Sequence, residues 1–155
     1  IPNNSCMSQL LFSNILSYLV LNRSGLKLED YHLNHPYGNI GENLKKIKDV
    51  IVRQYPKIVI DNNVDILNIL LEMNKFNIGC CFFFNSEDNL IGILSDSDVR
   101  KLVSQNKKLI SKSDINTEFK FESDSEKYLM YCIKMRYVPI LIENKFEGYI
   151  EFPPK

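Results

Sequence analysis

The chain has 155 residues, 45% hydrophobic and 25% charged, which is globular rather than disordered and leaves room for one ordinary domain or two very small ones. Nineteen basic residues balance nineteen acidic ones, so no charge surplus points to a nucleic-acid partner or an acidic tail. The four cysteines, Cys6, Cys80, Cys81 and Cys132, contain no Cys-x-x-Cys pair. They predict buried free thiols rather than a bridge or a metal site, which suits a reducing, cytoplasmic setting.

Residues 8–22 (SQLLFSNILSYLVLN) read as a helix, with Ser8 at the N-cap position and Gly25 past its end. It is apolar on most of its surface, so it calls for burial in a larger core or a subunit interface. Its longest apolar run, Leu10 to Leu21, is too short for a membrane span and is interrupted by Asn14 and two serines. It also lacks the basic start and cleavage site of a signal peptide. The first residue is Ile1 rather than Met, which fits a processed chain or a piece of a longer one. Residues 26–44 follow as a loop, with Pro36, Gly38, Gly41 and both histidines, His32 and His35.

From Lys57 the hydrophobic pattern shortens. Residues 57–60 (KIVI) predict a strand. Asn62 and Asn63 predict the cap of a helix over 64–74, with Val64, Leu67, Leu70, Leu71 and Met73 on its apolar side. Residues 80–84 and 90–94 predict a hairpin around 86–89, with Cys80 and Cys81 on opposite faces. A helix over 96–105 and a polar linker over 106–116 follow. The order then recurs: a strand at 119–121, a helix at 125–135, and strands at 138–143 and 146–150 around Asn144-Lys145. Gly92 and Gly148 hold equivalent places about 55 residues apart. The fold class is therefore α+β, two tandem β-α-β-β units too small to stand alone, with a cleft between them as the natural ligand site.

The stretch GILSDSDVR carries the most chemistry. Ser95 and Asp98 have capping-box spacing, a local role that needs no ligand. A helix N-terminus also attracts phosphate, and a carboxylate can accept from both hydroxyls of a ribose. Asp96 and Asp98 would repel phosphate alone, so a nucleotide fits better, with ribose on Asp98, phosphate near Ser95 and Arg100 offsetting charge. After Gly148 the chain reads Tyr-Ile-Glu-Phe-Pro-Pro-Lys, with no Ser-x-x-Asp and with Pro153-Pro154 barring an immediate helix. Any ligand site therefore rests on the first unit.

This order, with Gly-x-x-[Ser/Thr]-x-x-Asp at the end of the last strand, resembles a pair of CBS domains (a Bateman module). Within that class, GILSDSDVRKL resembles the GIFTDGDLRR segment of the arabinose-5-phosphate isomerases of the KpsF/GutQ group. LNHPYGNIG resembles their HPGG-[AS]-LG motif, and residues 1–31 resemble the last helix and tail of their sugar-isomerase (SIS) domain. The resemblance implies an SIS tail at 1–43, one CBS domain at 44–106 and a second, degenerate and truncated, at 113–155. It implies the C-terminal portion of an aldose–ketose isomerase that converts ribulose 5-phosphate to arabinose 5-phosphate for Kdo and lipopolysaccharide biosynthesis; no cofactor and no metal are expected. It gives Ser95 and Asp98 the nucleotide-binding roles, with CMP-Kdo or AMP as effector, and predicts a homo-oligomer.

His35 matches the motif's catalytic histidine, suited to moving protons near neutrality. Tyr37 and Asn39 stand where the motif has a glycine and a small residue. The bland reading of His35 is a loop histidine before a proline. Without the upstream catalytic groups, the 155 residues alone are expected to be inert. Two further readings stay open: a ligand-free CBS pair that serves only subunit assembly, and a degraded remnant without activity.

Overall fold

The computed structural model describes residues 3–27, 30 and 44–152 and divides into two compact units, Ile1–Leu44 and Lys45–Lys155. The first unit contains helix α1 (Asn3–Ser24), none of whose residues is buried. The helix starts five residues earlier than the sequence predicts. Ser8 is not its cap: its hydroxyl donates to the Asn4 carbonyl one turn back, at 2.9 Å. Gly25, at φ +66°, ends it in the left-handed conformation that glycine adopts without a Cβ penalty.

The second unit runs through a short helix α2 (Ile47–Val50), strands β1 (Lys57–Val59) and β2 (Val64–Asp65), and helix α3 (Ile66–Phe76). Strands β3 (Cys80–Phe84) and β4 (Leu90–Ser95), helix α4 (Asp96–Ser104) and strand β5 (Leu109–Ile110) follow. Strands β6 (Tyr137–Ile142) and β7 (Lys145–Glu151) close the described chain. The first repeat is a three-stranded sheet, β1-β3-β4, with β1 parallel and β4 antiparallel to β3. The second is the hairpin β6-β7. Its turn is Glu143-Asn144, both at positive φ, one residue before the predicted pair.

Strand β3 distributes its side chains by alternation. Cys81 and Phe83 enter a core with Ile69 and Met73 of α3 and Val99 of α4. Cys80, Phe82 and Phe84 face the other way and meet Tyr137 and Tyr149 of the second repeat. The two cysteines thus point to opposite faces, as the strand period requires. Cys132 is buried too, and only Cys6, on α1, is exposed.

The repeats exchange their leading segments. Ile93 of β4 pairs with Asn116 through both backbone bonds, at 3.0 and 3.1 Å. Tyr149 of β7 pairs in the same way with Val52, at 2.9 and 3.1 Å. Ile110 and Ile115 therefore complete the first core, and Ile47 completes the second with Leu129, Val138 and Ile150. Within residues 106–116, Ile110 and Ile115 are thus core residues, while most of the stretch stays exposed.

The structure corrects three further expectations. The cap of α3 is Asp65, which accepts from Leu67 N–H at 2.9 Å, because Val64-Asp65 pair with β5 as a strand. This moves the helix start by two residues and turns its inner face to Ile66, Ile69 and Met73, leaving Leu67 and Leu71 exposed. The predicted strand at 119–121 is reduced to one parallel bridge, Glu122 to Ile140. The predicted helix at 125–135 is a single 3-10 turn at Leu129–Tyr131, since neighbouring backbone groups pair with residues 45–48 instead.

Candidate functional site

Strand β4 ends at Ser95, opposite Cys80, and its continuation is pinned by Asp96 N–H donating to the Gly79 carbonyl at 2.9 Å. Helix α4 starts there with a complete capping box. Asp98 N–H donates to Ser95 Oγ at 3.4 Å, and Ser95 N–H donates to Asp98 Oδ2 at 3.1 Å. The Ser95 hydroxyl also donates to Asp98 Oδ2 at 2.5 Å and lies 2.7 Å from Ser97 Oγ. The Ser95 hydroxyl bond holds the Asp98 carboxyl below its ordinary range; burial opposes this, and Ser95 N–H and Lys101 reinforce it. Asp98 is therefore an ionised acceptor at neutral pH. Arg100 turns to Asp96 at 2.9 Å, one helical turn away.

The first turn of α4 separates two pockets. A cavity of about 460 Å³ lies between the repeats, with Gly79, Asp96, Arg136, Tyr137 and Glu151 among its walls. The Tyr137 hydroxyl accepts from Gly79 N–H at 3.0 Å and ties the repeats together at its rim. A smaller pocket of about 270 Å³ has an apolar floor, including Leu94, Leu102 and Ile115, and Asp98, Lys101 and Asp114 at its edge. Asp96 and Asp98 thus serve different cavities. The centre of the space between the sheets is filled by rings: Phe146 lies 4.9 Å from Tyr55 and 5.1 Å from Phe82, and Tyr149 lies 5.4 Å from Phe82.

Asp114 was not expected from the sequence. Ser111, Ser113 and Asp114 repeat the Ser95 geometry: Ser111 N–H donates to Asp114 Oδ2 at 3.1 Å, and the two serine oxygens lie 2.8 Å apart. The signal was readable, because SDSD at 95–98 and SKSD at 111–114 share the spacing Ser-x-Ser-Asp. The Lys107 ammonium holds the Asp114 carboxyl below its ordinary range, with Ser111 N–H assisting and burial opposing. In the second repeat Glu151 occupies the place of Ser95, three residues after its glycine. Asn74 and Asn77 of the inter-repeat cavity were also missed, because they enter through the C-terminal end of α3 rather than through any motif.

His35, His32, Tyr37 and Asn39 lie outside the described residues. Among the described residues, no group of three or more His, Cys, Asp and Glu side chains could hold a metal ion. No helix among them is long and apolar enough to cross a membrane. Burial pushes the thiols of Cys80 and Cys132 up to about 12 and Cys81 higher still, so these are packing groups rather than nucleophiles.

No family model matches the chain. It is 27% identical to an uncharacterized protein of Rickettsia prowazekii over 155 residues, covering 96% of this chain and 49% of that protein. It is 24% identical over 102 residues to the arabinose 5-phosphate isomerase KdsD of Salmonella typhi, covering 65% of this chain and 31% of the isomerase. The chain therefore spans about half of the first relative and about a third of the second.

Among solved structures it resembles an uncharacterized conserved protein from Pyrococcus horikoshii, with TM-score 0.60 and 14% identity, over 70% of this chain and 87% of that one. It resembles the CBS domain pair of protein MJ0100 in complex with 5'-methylthioadenosine and S-adenosyl-L-methionine, with TM-score 0.57 and 19% identity, over 70% and 90%. It also resembles a CBS domain protein from Pyrobaculum aerophilum complexed with AMP, with TM-score 0.56 and 14% identity, over 69% and 87%. The mixed α and β chain has the fold of a CBS domain pair.

Proposed function

We propose that this chain carries the regulatory CBS module of a sugar-phosphate aldose–ketose isomerase, and that the module binds one nucleotide or nucleotide sugar at the start of α4. The observation that carries this reading is the Ser95–Asp98 box, with an ionised Asp98 on the wall of an open pocket. In it, Asp98 accepts from the ribose hydroxyls and Ser95 contributes its hydroxyl near the phosphate. The complexes of the fold neighbours with AMP and S-adenosyl-L-methionine support the ligand class. The similarity to KdsD supports the ribulose 5-phosphate to arabinose 5-phosphate reaction, and with it the Kdo and lipopolysaccharide pathway and a cytoplasmic setting.

In this reading residues 1–43 are the tail of an SIS domain, 44–106 the first CBS domain and 113–155 the second. His35 then serves acid–base chemistry only in the intact enzyme. CMP-Kdo, as the pathway product, is the feedback candidate, and AMP the generic one. Calorimetry of the folded chain with each tests the proposal. Heat with wild type and none with Asp98→Asn is the expected result, and no heat with either ligand sinks it. A ligand that binds the folded state at a hundred times its Kd should also add about 2.7 kcal/mol to stability. The chain alone should not convert ribulose 5-phosphate, and measurable conversion would overturn that expectation.

One observation favours a second reading, a ligand-free pair that joins subunits. Ser95 and Asp98 are already hydrogen-bonded to each other, and in the sequence Glu151 and Pro154 stand where the second repeat would repeat the signature. A Ser95→Ala, Asp98→Ala double variant separates the two. In the assembly reading it loses only a cap's worth of stability and changes no ligand response.

A further inference from the structure

Residues 125–133 have two possible sets of backbone partners. In an α-helix over Ser125–Met135, the Ser125 carbonyl would accept from Leu129 N–H, that of Lys127 from Tyr131 N–H, and that of Leu129 from Ile133 N–H. Each of these groups is paired elsewhere. The Ser125 carbonyl accepts from Lys48 N–H at 2.9 Å and the Lys127 carbonyl from Ile47 N–H at 3.0 Å. Leu129 N–H donates to the Lys45 carbonyl at 2.9 Å, and Tyr131 N–H to the Tyr128 carbonyl at 3.0 Å. Ile133 N–H donates to the Glu122 carboxylate at 2.7 Å. Side chains reinforce the arrangement: Glu126 accepts from Lys46 at 3.0 Å and from Lys48 at 2.6 Å.

The helical alternative is written into the same residues. Leu129, Cys132 and Ile133 fall on one face at i, i+3, i+4 spacing, and Ser123-x-x-Glu126 has the spacing of a capping box. The equivalent stretch of the first repeat is the helix α3. Since the backbone groups find partners in both arrangements, the choice rests on what residues 45–48 add and on the buried Glu122 carboxylate that holds Ile133 N–H. The main contribution of residues 45–48 is Ile47, which is fully buried against Leu129 and Val138.

We propose that residues 45–48 are a releasable strap and that 125–135 is a two-state element, a 3-10 turn while the strap is docked and an α-helix when it is withdrawn. The strap follows directly on the Ile1–Leu44 unit in the chain, so a pull at the end of that unit biases the second repeat. This holds whether or not the module binds a nucleotide.

The test is NMR on the full chain, comparing wild type with the surface variant Lys46→Glu/Lys48→Glu and the stronger variant Ile47→Ala. Like charge beside Glu126 in the first, or lost burial in the second, should raise amide exchange of Ile47 and Lys48 at least tenfold. In parallel, Cα shifts over 125–135 should move to helical values while the β6-β7 amides stay protected. Adding Glu126→Lys to the surface variant should restore the wild-type pattern. The proposal fails if the freed segment takes random-coil shifts, if β6-β7 unfolds with it, or if the strap stays protected in both variants.

Discussion

At the scale of residues, Asp98 and Glu122 are two of the carboxylates that hold backbone no ladder holds. Asp98 does so for the first turn of α4, and its role follows from local i, i+3 spacing, so it was legible in the sequence. Ser95→Ala removes the acceptor for Asp98 N–H and the hydroxyl on Asp98 Oδ2, and should cost about 1 kcal/mol in thermal or urea unfolding. A loss below a few tenths of that would show the box to be ornamental in the empty state. Glu122 is the second. It is buried, accepts from Ile133 N–H, and pairs with Lys127 at 2.8 Å. Burial pushes its carboxyl up, but the Lys127 and Ile133 hydrogen bonds outweigh it and bring it below its ordinary range. A carboxyl depressed in the folded state stabilises fully above its unfolded value, and that share is lost as pH falls through the folded one. Unfolding free energy should therefore drop on acidification below the ordinary glutamate range, and Glu122→Gln should flatten that part of the curve. An unchanged acid limb in the variant would contradict this role. Nothing in the sequence marked Glu122, because its partners meet it only through the non-helical path of residues 127–133.

At the scale of elements, β3, β4, β6, β7 and α4 were legible because each carries its own periodicity and turn chemistry. What the sequence did not show lies where one segment's backbone is satisfied by a distant one, as at 125–135 and at β2-β5. The paired glycines mark the same exchange of segments, and they differ in a measurable way. A Cβ on Gly148 would lie 2.4 Å from the Val52 carbonyl oxygen, and its φ of +147° disfavours any side chain. A Cβ on Gly92 would meet the Ile115 side chain at 2.7 Å and the Asn116 carbonyl oxygen only at 3.1 Å, a looser approach to backbone than at Gly148. Gly148→Ala should therefore cost about 3 kcal/mol and Gly92→Ala about 1 kcal/mol. Equal losses in chemical denaturation would mean that Val52 yields as readily as Ile115, against the close backbone pairing at Tyr149.

At the scale of the whole molecule, the duplication was legible but its asymmetry was only half so. The missing signature after Gly148 could be read directly, whereas the replacement of the second repeat's helix by a strap could not. Helix α1 has no buried residue along its length. Leu10, Leu11, Phe12, Ile15, Leu16, Leu19, Val20 and Leu21 are all at least half exposed, around every side of the helix. A contiguous apolar surface of this kind marks an interaction site. Because no single face dominates, one partner helix would leave much of it wet, so burial requires several neighbours. At micromolar concentration and above, the chain should associate beyond the monomer in sedimentation or light scattering. Leu11→Lys and Leu16→Lys, which charge the middle of α1, should shift it toward monomer without changing the thermal transition of the Lys45–Lys155 unit. A wild-type chain that stays monomeric across that range would show that α1 does not drive self-association and would remove this support for an oligomer.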